Sequence, residues 1–312
     1  MRANSILQLF MLSCQNWMPV PLCADVVEYV ISGVEEPLLT NVRNHVSAFR
    51  IGSGAKLNSR LRRKMLRDAQ EATGNAIRPY GYFNPQIQTE IRALGAGNWI
   101  LNIQIAKGPP VIVRELRLEI SGEGVELDPL NDWYEDFPLR EGQTLNQEAW
   151  DKSKQEAIGL LEENGYLQAT FSRHRIRVDP VANTARLELL LDTGRQAVMG
   201  TVVFNQNILN EGVLARLQRF DQGVPYSSWL MEKFRVDLWR LGYFEDIKVV
   251  ERRVLNADPP RVDLEVSASP RNKNTYQGTV GYGTDTQIRV QFLWGRHLLS
   301  PRGDNFDIGF GW

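Results

Sequence analysis

The sequence predicts an α+β chain in which one β-α-α-β-β unit is used three times in tandem and is followed by strands of a membrane type. Three observations carry this expectation. Tyr80-Gly81-Tyr82-Phe83, Asn164-Gly165-Tyr166-Leu167 and Leu241-Gly242-Tyr243-Phe244 each close a helical stretch and open an alternating, strand-like run. Their glycines are 84 and 77 residues apart, the spacing of small domains and too long for a solenoid repeat. The last 37 residues then change character, alternating aromatic and aliphatic residues against Gly and polar ones.

Each unit opens with an extended run, at residues 26–34, 111–120 and 198–205, followed by a first helix such as 37–49 or 211–220. The second helix has its own entry mark: Gly54-Ala55-Lys56-Leu57-Asn58, Gly142-Gln143-Thr144-Leu145-Asn146 and Gly223-Val224-Pro225-Tyr226-Ser227. Asn58, Asn146 and Ser227 stand as N-caps that accept from free first-turn amides. Leu145 with Trp150, and Tyr226 with Met231, have the spacing of a hydrophobic staple, which the first unit lacks because Arg62 occupies that place. Along these helices apolar residues recur at helical spacing, as in Leu61, Met65, Ala69, Ala72 and Ala76, or Leu230, Phe234, Leu238 and Leu241. Gly81, Gly165 and Gly242 then supply a left-handed C′ residue. Pro79 ends the first of these helices near residues 75–78.

After each cap come two extended runs joined by a turn. The second alternates cleanly: Leu101, Ile103, Ile105; Leu187, Leu189, Leu191; Val262, Leu264, Val266. Period two means one buried and one wet face. The run after the cap is then expected at the sheet edge, where its basic residues, Arg173, Arg175 and Arg177 or Lys248, Arg252 and Arg253, either blunt the edge against aggregation or favour acidic segments that add a strand there.

At the C-terminal end the alternation is that of outer-membrane barrel strands or of a soluble hairpin with one buried face, and Tyr276, Gly278, Val280 and Tyr282 mark its first strand. Ile288, Val290, Phe292 and Trp294 mark a second, and Phe306, Ile308, Phe310 and Trp312 a third, with Ser300-Pro301-Arg302-Gly303 as a turn. At the other end, residues 1–24 resemble a secretory signal: Arg2, an apolar run over 6–12 and small residues up to Ala24. Both cysteines, Cys14 and Cys23, lie inside it, so the exported chain would hold no disulfide. A formal net charge of −1, and no basic patch interleaved with aromatics, argue against nucleic acid as a partner.

Catalysis finds no support in the residues. Leu190-Leu191-Asp192-Thr193-Gly194 has the outline of an aspartic-protease loop, but Arg195 follows it, and Ile105-Ala106-Lys107-Gly108 holds the same place one unit earlier without a carboxylate. His45, His174 and His297 have no partner at metal-ligand spacing, and no Gly-rich loop precedes a helix as a nucleotide site needs. Arg302-Gly303-Asp304 reads as a turn after Pro301. No catalytic residue, metal or cofactor is expected.

Three β-α-α-β-β units with Gly-aromatic caps, followed by Tyr276-Gln277-Gly278-Thr279-Val280-Gly281-Tyr282-Gly283 and Arg289-Val290-Gln291-Phe292-Leu293-Trp294, resemble the POTRA-containing outer-membrane assembly-factor superfamily. Three units point to its TamA type, the outer-membrane subunit of the translocation and assembly module. The resemblance implies a signal peptide at 1–24, POTRA domains at 25–108, 109–194 and 195–270, and a transmembrane β-barrel beginning at 276–312 and stopping early, since about eight strands are needed to close one. It further implies an outer-membrane location with the N-terminal domains in the periplasm. The implied partners are a periplasm-spanning TamB-type inner-membrane protein, unfolded outer-membrane proteins and the bilayer, and the implied activity is insertion or secretion of autotransporter-type clients. Alternatives are a two-partner secretion transporter, a general barrel-assembly factor and a soluble periplasmic scaffold.

Overall fold

The computed structural model describes residues 26–47, 56–95, 97–283 and 287–312. The expected signal segment, and the Gly54-Ala55 part of the first helix-entry mark, lie outside the described residues. The chain divides at Pro110/Val111 into two compact units.

The first unit runs β1 (Val26–Ser32), α1 (Leu38–Ser47), α2 (Ser59–Ile77), a 3-10 turn Arg78–Tyr80, β2 (Gln86–Gly95) and β3 (Asn98–Ala106). Its sheet has the order β1-β3-β2, with β3 parallel to β1 and antiparallel to β2. The alternating run is thus the central strand, and Leu101, Ile103 and Ile105 are buried against Val42, Val46, Ala69, Ala72, Ala76 and Ile77 of the helices. Burying side chains of this size contributes about 1.5–3 kcal/mol each, and two helices on one face suffice to cover a three-stranded sheet. Helix α2 ends at Ile77, two residues before Pro79, as the proline requires.

The second unit holds three further sheets. Its first repeat is β4 (Ile112–Ser121), α3 (Asp128–Glu135), α4 (Gln147–Glu163), β5 (Thr170–Asp179) and β6 (Thr184–Asp192), with sheet order β4-β6-β5. Its second is β7 (Val198–Asn205), α5 (Glu211–Ala215), α6 (Ser228–Arg240), β8 (Phe244–Val254) and β9 (Arg261–Pro270), with order β7-β9-β8. An antiparallel meander follows: β10 (Asn274–Gly283), β11 (Gln287–Arg296) and β12 (Phe306–Gly311). The expected architecture is therefore present, three β-α-α-β-β repeats and then a set of antiparallel strands.

All three N-caps act as expected. Asn58 Oδ1 accepts from the Leu61 amide at 2.8 Å, Asn146 Oδ1 from Ala149 at 3.0 Å and Ser227 Oγ from Leu230 at 3.2 Å. Asn146→Ala should lower stability by about 1 kcal/mol in a urea melt, because it orphans one first-turn amide; an unchanged midpoint would deny the cap any energetic role. The helix of the third repeat is shorter than expected, ending at Ala215 and not near Phe220. Past Ala215 the chain leaves helical geometry so that Leu217 and Phe220 can both reach the core that contains Met231, Phe234 and Leu238. Hydrophobic period alone does not distinguish such a turn from one more turn of helix.

Candidate partner-binding edges and the joint between repeats

In the sheet of each β-α-α-β-β repeat the strand after the Gly-aromatic cap, β2, β5 or β8, is an edge, and so is the opening strand. The two kinds of edge are treated differently. Along the first half of β4, the Val113 amide donates to Gln143 O, Gly142 N to Val113 O and Leu145 N to Val111 O, each at 2.8 Å. The third repeat repeats this: Met199 N bonds Val224 O at 2.8 Å, Gly223 N bonds Met199 O at 2.8 Å and Tyr226 N bonds Ala197 O at 2.9 Å. The helix-entry segment thus closes the start of the opening strand. Edges β5 and β8 have no strand paired along their outer side among the described residues, and with 10 and 11 residues they are long enough for an added strand of ordinary length.

The basic residues singled out on these edges fall into distinct positions. Arg173, Arg175 and Arg177 alternate with His174, Ile176 and Val178, which stand opposite Leu189, Leu187 and Ala185, and of these Ile176 and Val178 are half-buried. All three arginines are exposed on the wet face. Arg173 pairs with Glu188 at 3.5 Å, whereas Arg175 and Arg177 form no ion pair among the described residues. On β8, Lys248 and Arg252 share the wet face, and Arg252 pairs with Glu265, whose carboxyl is held below the ordinary range first by that hydrogen bond and then by the guanidinium charge. Arg253 lies on the other face, opposite Val262, and reaches Glu162 of α4 at 3.4 Å. Charge on an edge strand is a known device against edge-to-edge aggregation, and both edges also carry a bulge near their start, at Phe171/Arg173 and Phe244/Asp246.

Arg253 belongs to a joint that the sequence reading missed. Leu167, just behind the cap of the second repeat, is buried in the core of the third. The Ala197 amide donates to Gly165 O at 2.8 Å and Gln196 Nε2 to Asn164 O at 3.0 Å. Arg195 bridges Glu123 at 3.3 Å and Asp258 at 2.8 Å, and these carboxylates raise its affinity for the proton, Asp258 first. The protease-like triplet is part of the same turn: Asp192 Oδ1 accepts from Gly194 N at 3.0 Å, and the buried Thr193 Oγ1 accepts from Gly124 N at 2.9 Å. The one sequence signal for this joint was the charged residue after Asp-Thr-Gly, which excluded a protease without suggesting a bridge. Because Arg195 is half exposed, Arg195→Ala should cost about 1 kcal/mol or less, with the difference shrinking in high salt; a salt-independent loss in a urea melt would refute an electrostatic role.

Gly81, Gly165 and Gly242 all have the expected positive φ, at 89°, 88° and 70°. Two of them differ in surroundings. A Cβ on Gly165 would lie 2.6 Å from Tyr226 O of the third repeat, while one on Gly242 would meet nothing within 4 Å.

The meander presents one apolar face. Register places Tyr276, Gly278, Val280 and Tyr282 of β10 opposite Trp294, Phe292, Val290 and Ile288 of β11, and Ile308 and Phe310 of β12 opposite Trp294 and Phe292. Tyr276 is 66% exposed, Val280 76% and Tyr282 78%. The loop between β11 and β12 docks on the third repeat: Leu298 packs on the cluster of Ile208, Leu209 and Phe244, Asn210 N donates to Pro301 O at 3.0 Å, and Tyr243 OH donates to Gly303 O.

With this geometry in hand, residues 28–107 match the family model described as POTRA domain, TamA domain 1. BamA from Haemophilus ducreyi lacking POTRA domains 1–3 superposes with a TM-score of 0.51 at 18% identity, over 64% of this chain and 37% of that one. POTRA3–5 of Haemophilus influenzae BamA gives 0.42 at 19%, over 79% and 96%, and CdiB from Acinetobacter baumannii 0.38 at 14%, over 65% and 38%. The aligned part thus spans little more than a third of the H. ducreyi chain. The fold is that of a POTRA-containing protein. Its first repeat is similar to the first POTRA domain of TamA over residues 28–107.

Proposed function

We propose that the chain is part of an outer-membrane assembly or translocation factor. Its three POTRA domains, at 25–108, 109–194 and 195–270, stand in the periplasm behind a cleaved leader of residues 1–24, and a membrane barrel begins at 276–312. The observation that carries this reading is the asymmetry of the sheet edges. In the second and third repeats the opening strand is partly closed by the chain's own helix-entry segment, and the strand after the cap is left for an incoming strand.

On this reading β5 and β8 receive extended segments of unfolded outer-membrane proteins, autotransporter-type clients among them, or of a TamB-type partner, by strand addition. Arg175 and Arg177, exposed and outside any ion pair among the described residues, favour acidic stretches in the client. No bond is made or broken, so the role is binding and handover, not catalysis. Export is checked directly: the protein from native envelopes should begin at or near Asp25, and an intact Met1 terminus in the cytosol would contradict it.

The edge reading is tested with a photo-crosslinking side chain at Arg175 or Arg177, compared with one at Lys152 on α4. Crosslinks to an unfolded outer-membrane protein from the β5 positions and not from Lys152 are expected. Equal yields from all three positions, or yields from Lys152 alone, would contradict strand addition at β5.

A further inference from the structure

The opening strand of the third repeat is closed over only part of its length. Up to Met199 its outward backbone groups bond the helix-entry segment, Met199 N to Val224 O and Gly223 N to Met199 O, both at 2.8 Å. A bulge between Met199 and Val202 then adds one residue to β7, so the outward groups beyond it are those of Val202 and Phe204. Among the described residues these form no hydrogen bond on that side. β4 is blunted further at the matching place, where the Leu116 amide donates to Glu141 Oε1 at 3.1 Å.

The unpaired stretch of β7 borders a groove of about 660 Å³. Val202, Val203 and Phe204 line it from the strand, and Leu209, Leu214 and Ala215 from the α5 segment. Two of its polar side chains are already committed to nearby backbone. Gln206 Oε1 accepts from the amides of Ile208 and Leu209 at 2.7 and 2.8 Å and its Nε2 donates to Leu209 O at 2.8 Å, while Gln218 Nε2 donates to Phe220 O at 3.2 Å. No basic side chain lines the groove, and its one acid is the exposed Glu211. Asn210, also in the lining, donates its amide to Pro301 O at 3.0 Å, so the loop that leads into β12 lies next to it. Free backbone groups beside apolar side chains suit an extended chain. A strand laid along β7 would turn alternate side chains toward α5, beside Val202 and Phe204, and the others to the wet side, beside the 53% exposed Val203.

We propose that this groove is a second strand-adding site, one that takes uncharged segments alternating apolar with small or polar residues, the pattern of barrel strands in an unfolded outer-membrane protein. The inference rests on the reading of the chain as an assembly factor and adds a client chemistry that the other edges do not favour. On β5 and β8 the wet face presents Arg175, Arg177 and Lys248, which draw acidic stretches. At β7 no cation lines the groove and Glu211 repels such stretches, so the edges sort extended segments by charge. A segment held on β7 also lies beside the loop into β12, next to the meander.

The test gives the full chain a photo-crosslinking side chain at Val203 or at Arg175 and offers it two peptides, one alternating valine with threonine and one alternating valine with glutamate. Val203 should crosslink the valine–threonine peptide, and Arg175 the valine–glutamate peptide. Ala215→Glu, on the α5 side of the groove, should lower the Val203 yield about fivefold, the worth of one strong cross-strand pair. Glu211→Lys should raise the yield of the valine–glutamate peptide at Val203 by a similar factor. Both positions are exposed, so the variants should keep the circular dichroism spectrum of the parent. Crosslinking at Arg175 with none at Val203, equal yields of both peptides at Val203, or a Val203 yield that neither substitution moves would overturn the groove and leave the β5 edge standing. Crosslinking from neither position would overturn strand addition at both edges.

Discussion

Replacing Gly165 by Val is expected to destabilise the chain by about 3 kcal/mol or more in urea unfolding, well beyond the effect of the same change at Gly242. Both glycines have positive φ, a conformation that costs a Cβ-bearing residue about 1–2 kcal/mol. At Gly242 that strain is the whole penalty, since a Cβ there meets nothing within 4 Å. At Gly165 the added carbon would stand 2.6 Å from Tyr226 O and 3.3 Å from Ala197 O, both backbone atoms that cannot rotate away. Ala197 O accepts from Tyr226 N within the third repeat, and Ala197 N donates to Gly165 O, the bond that fastens the second repeat to the third. The clash is relieved only by parting them. The variant should therefore loosen the joint as well as its own repeat, seen as faster exchange of the Ala197 and Tyr226 amides. Equal losses from the two substitutions, with those amides still protected, would show that Gly165 is a helix cap and nothing more.

The second large effect concerns the meander. Val280, Phe292 and Phe310 lie on its apolar face with 76%, 46% and 68% of their surface exposed. Covering such side chains is worth about 1.5–3 kcal/mol apiece, so the chain should associate in water or take up detergent. Simple deletion of the meander is an imperfect control, because Leu298, Pro301 and Gly303 of its loop cover part of the third repeat. A triple variant, Val280→Thr, Phe292→Thr and Phe310→Thr, keeps that loop and strand propensity while removing the apolar face. In analytical ultracentrifugation the triple variant should be monomeric without detergent, and the parent should not. A parent as monomeric and detergent-indifferent as the variant would support a soluble scaffold instead.

Local signals in the sequence carried most of the fold. The caps at Asn58, Asn146 and Ser227 and the glycines at 81, 165 and 242 act through bonds within a few residues, so their chemistry can be read from short windows. The central strands were legible for a related reason, since Leu101, Ile103 and Ile105 or Leu187, Leu189 and Leu191 alternate only because one face is covered.

What escaped was long-range. The closure of β4 by residues 142–145 is made of backbone bonds that no side-chain pattern encodes. Arg195 pairs with Glu123, 72 positions away, and Asp258, 63 away, and nothing in a single sequence pairs distant charges. The same limit applied to the edge residues. Arg252 and Arg253 are neighbours in sequence, yet strand alternation sends one to the wet face and Glu265 and the other to Glu162 of the preceding repeat.

The central claim is that soluble repeats lead into strands that enter the outer membrane. It is tested most directly by fractionating a Gram-negative host that exports the chain and its meander triple variant. The account predicts that the parent sediments with outer membranes and resists alkaline carbonate, while the variant is released with the periplasmic fraction. Recovery of the parent in the soluble periplasm, alongside the variant, would contradict it.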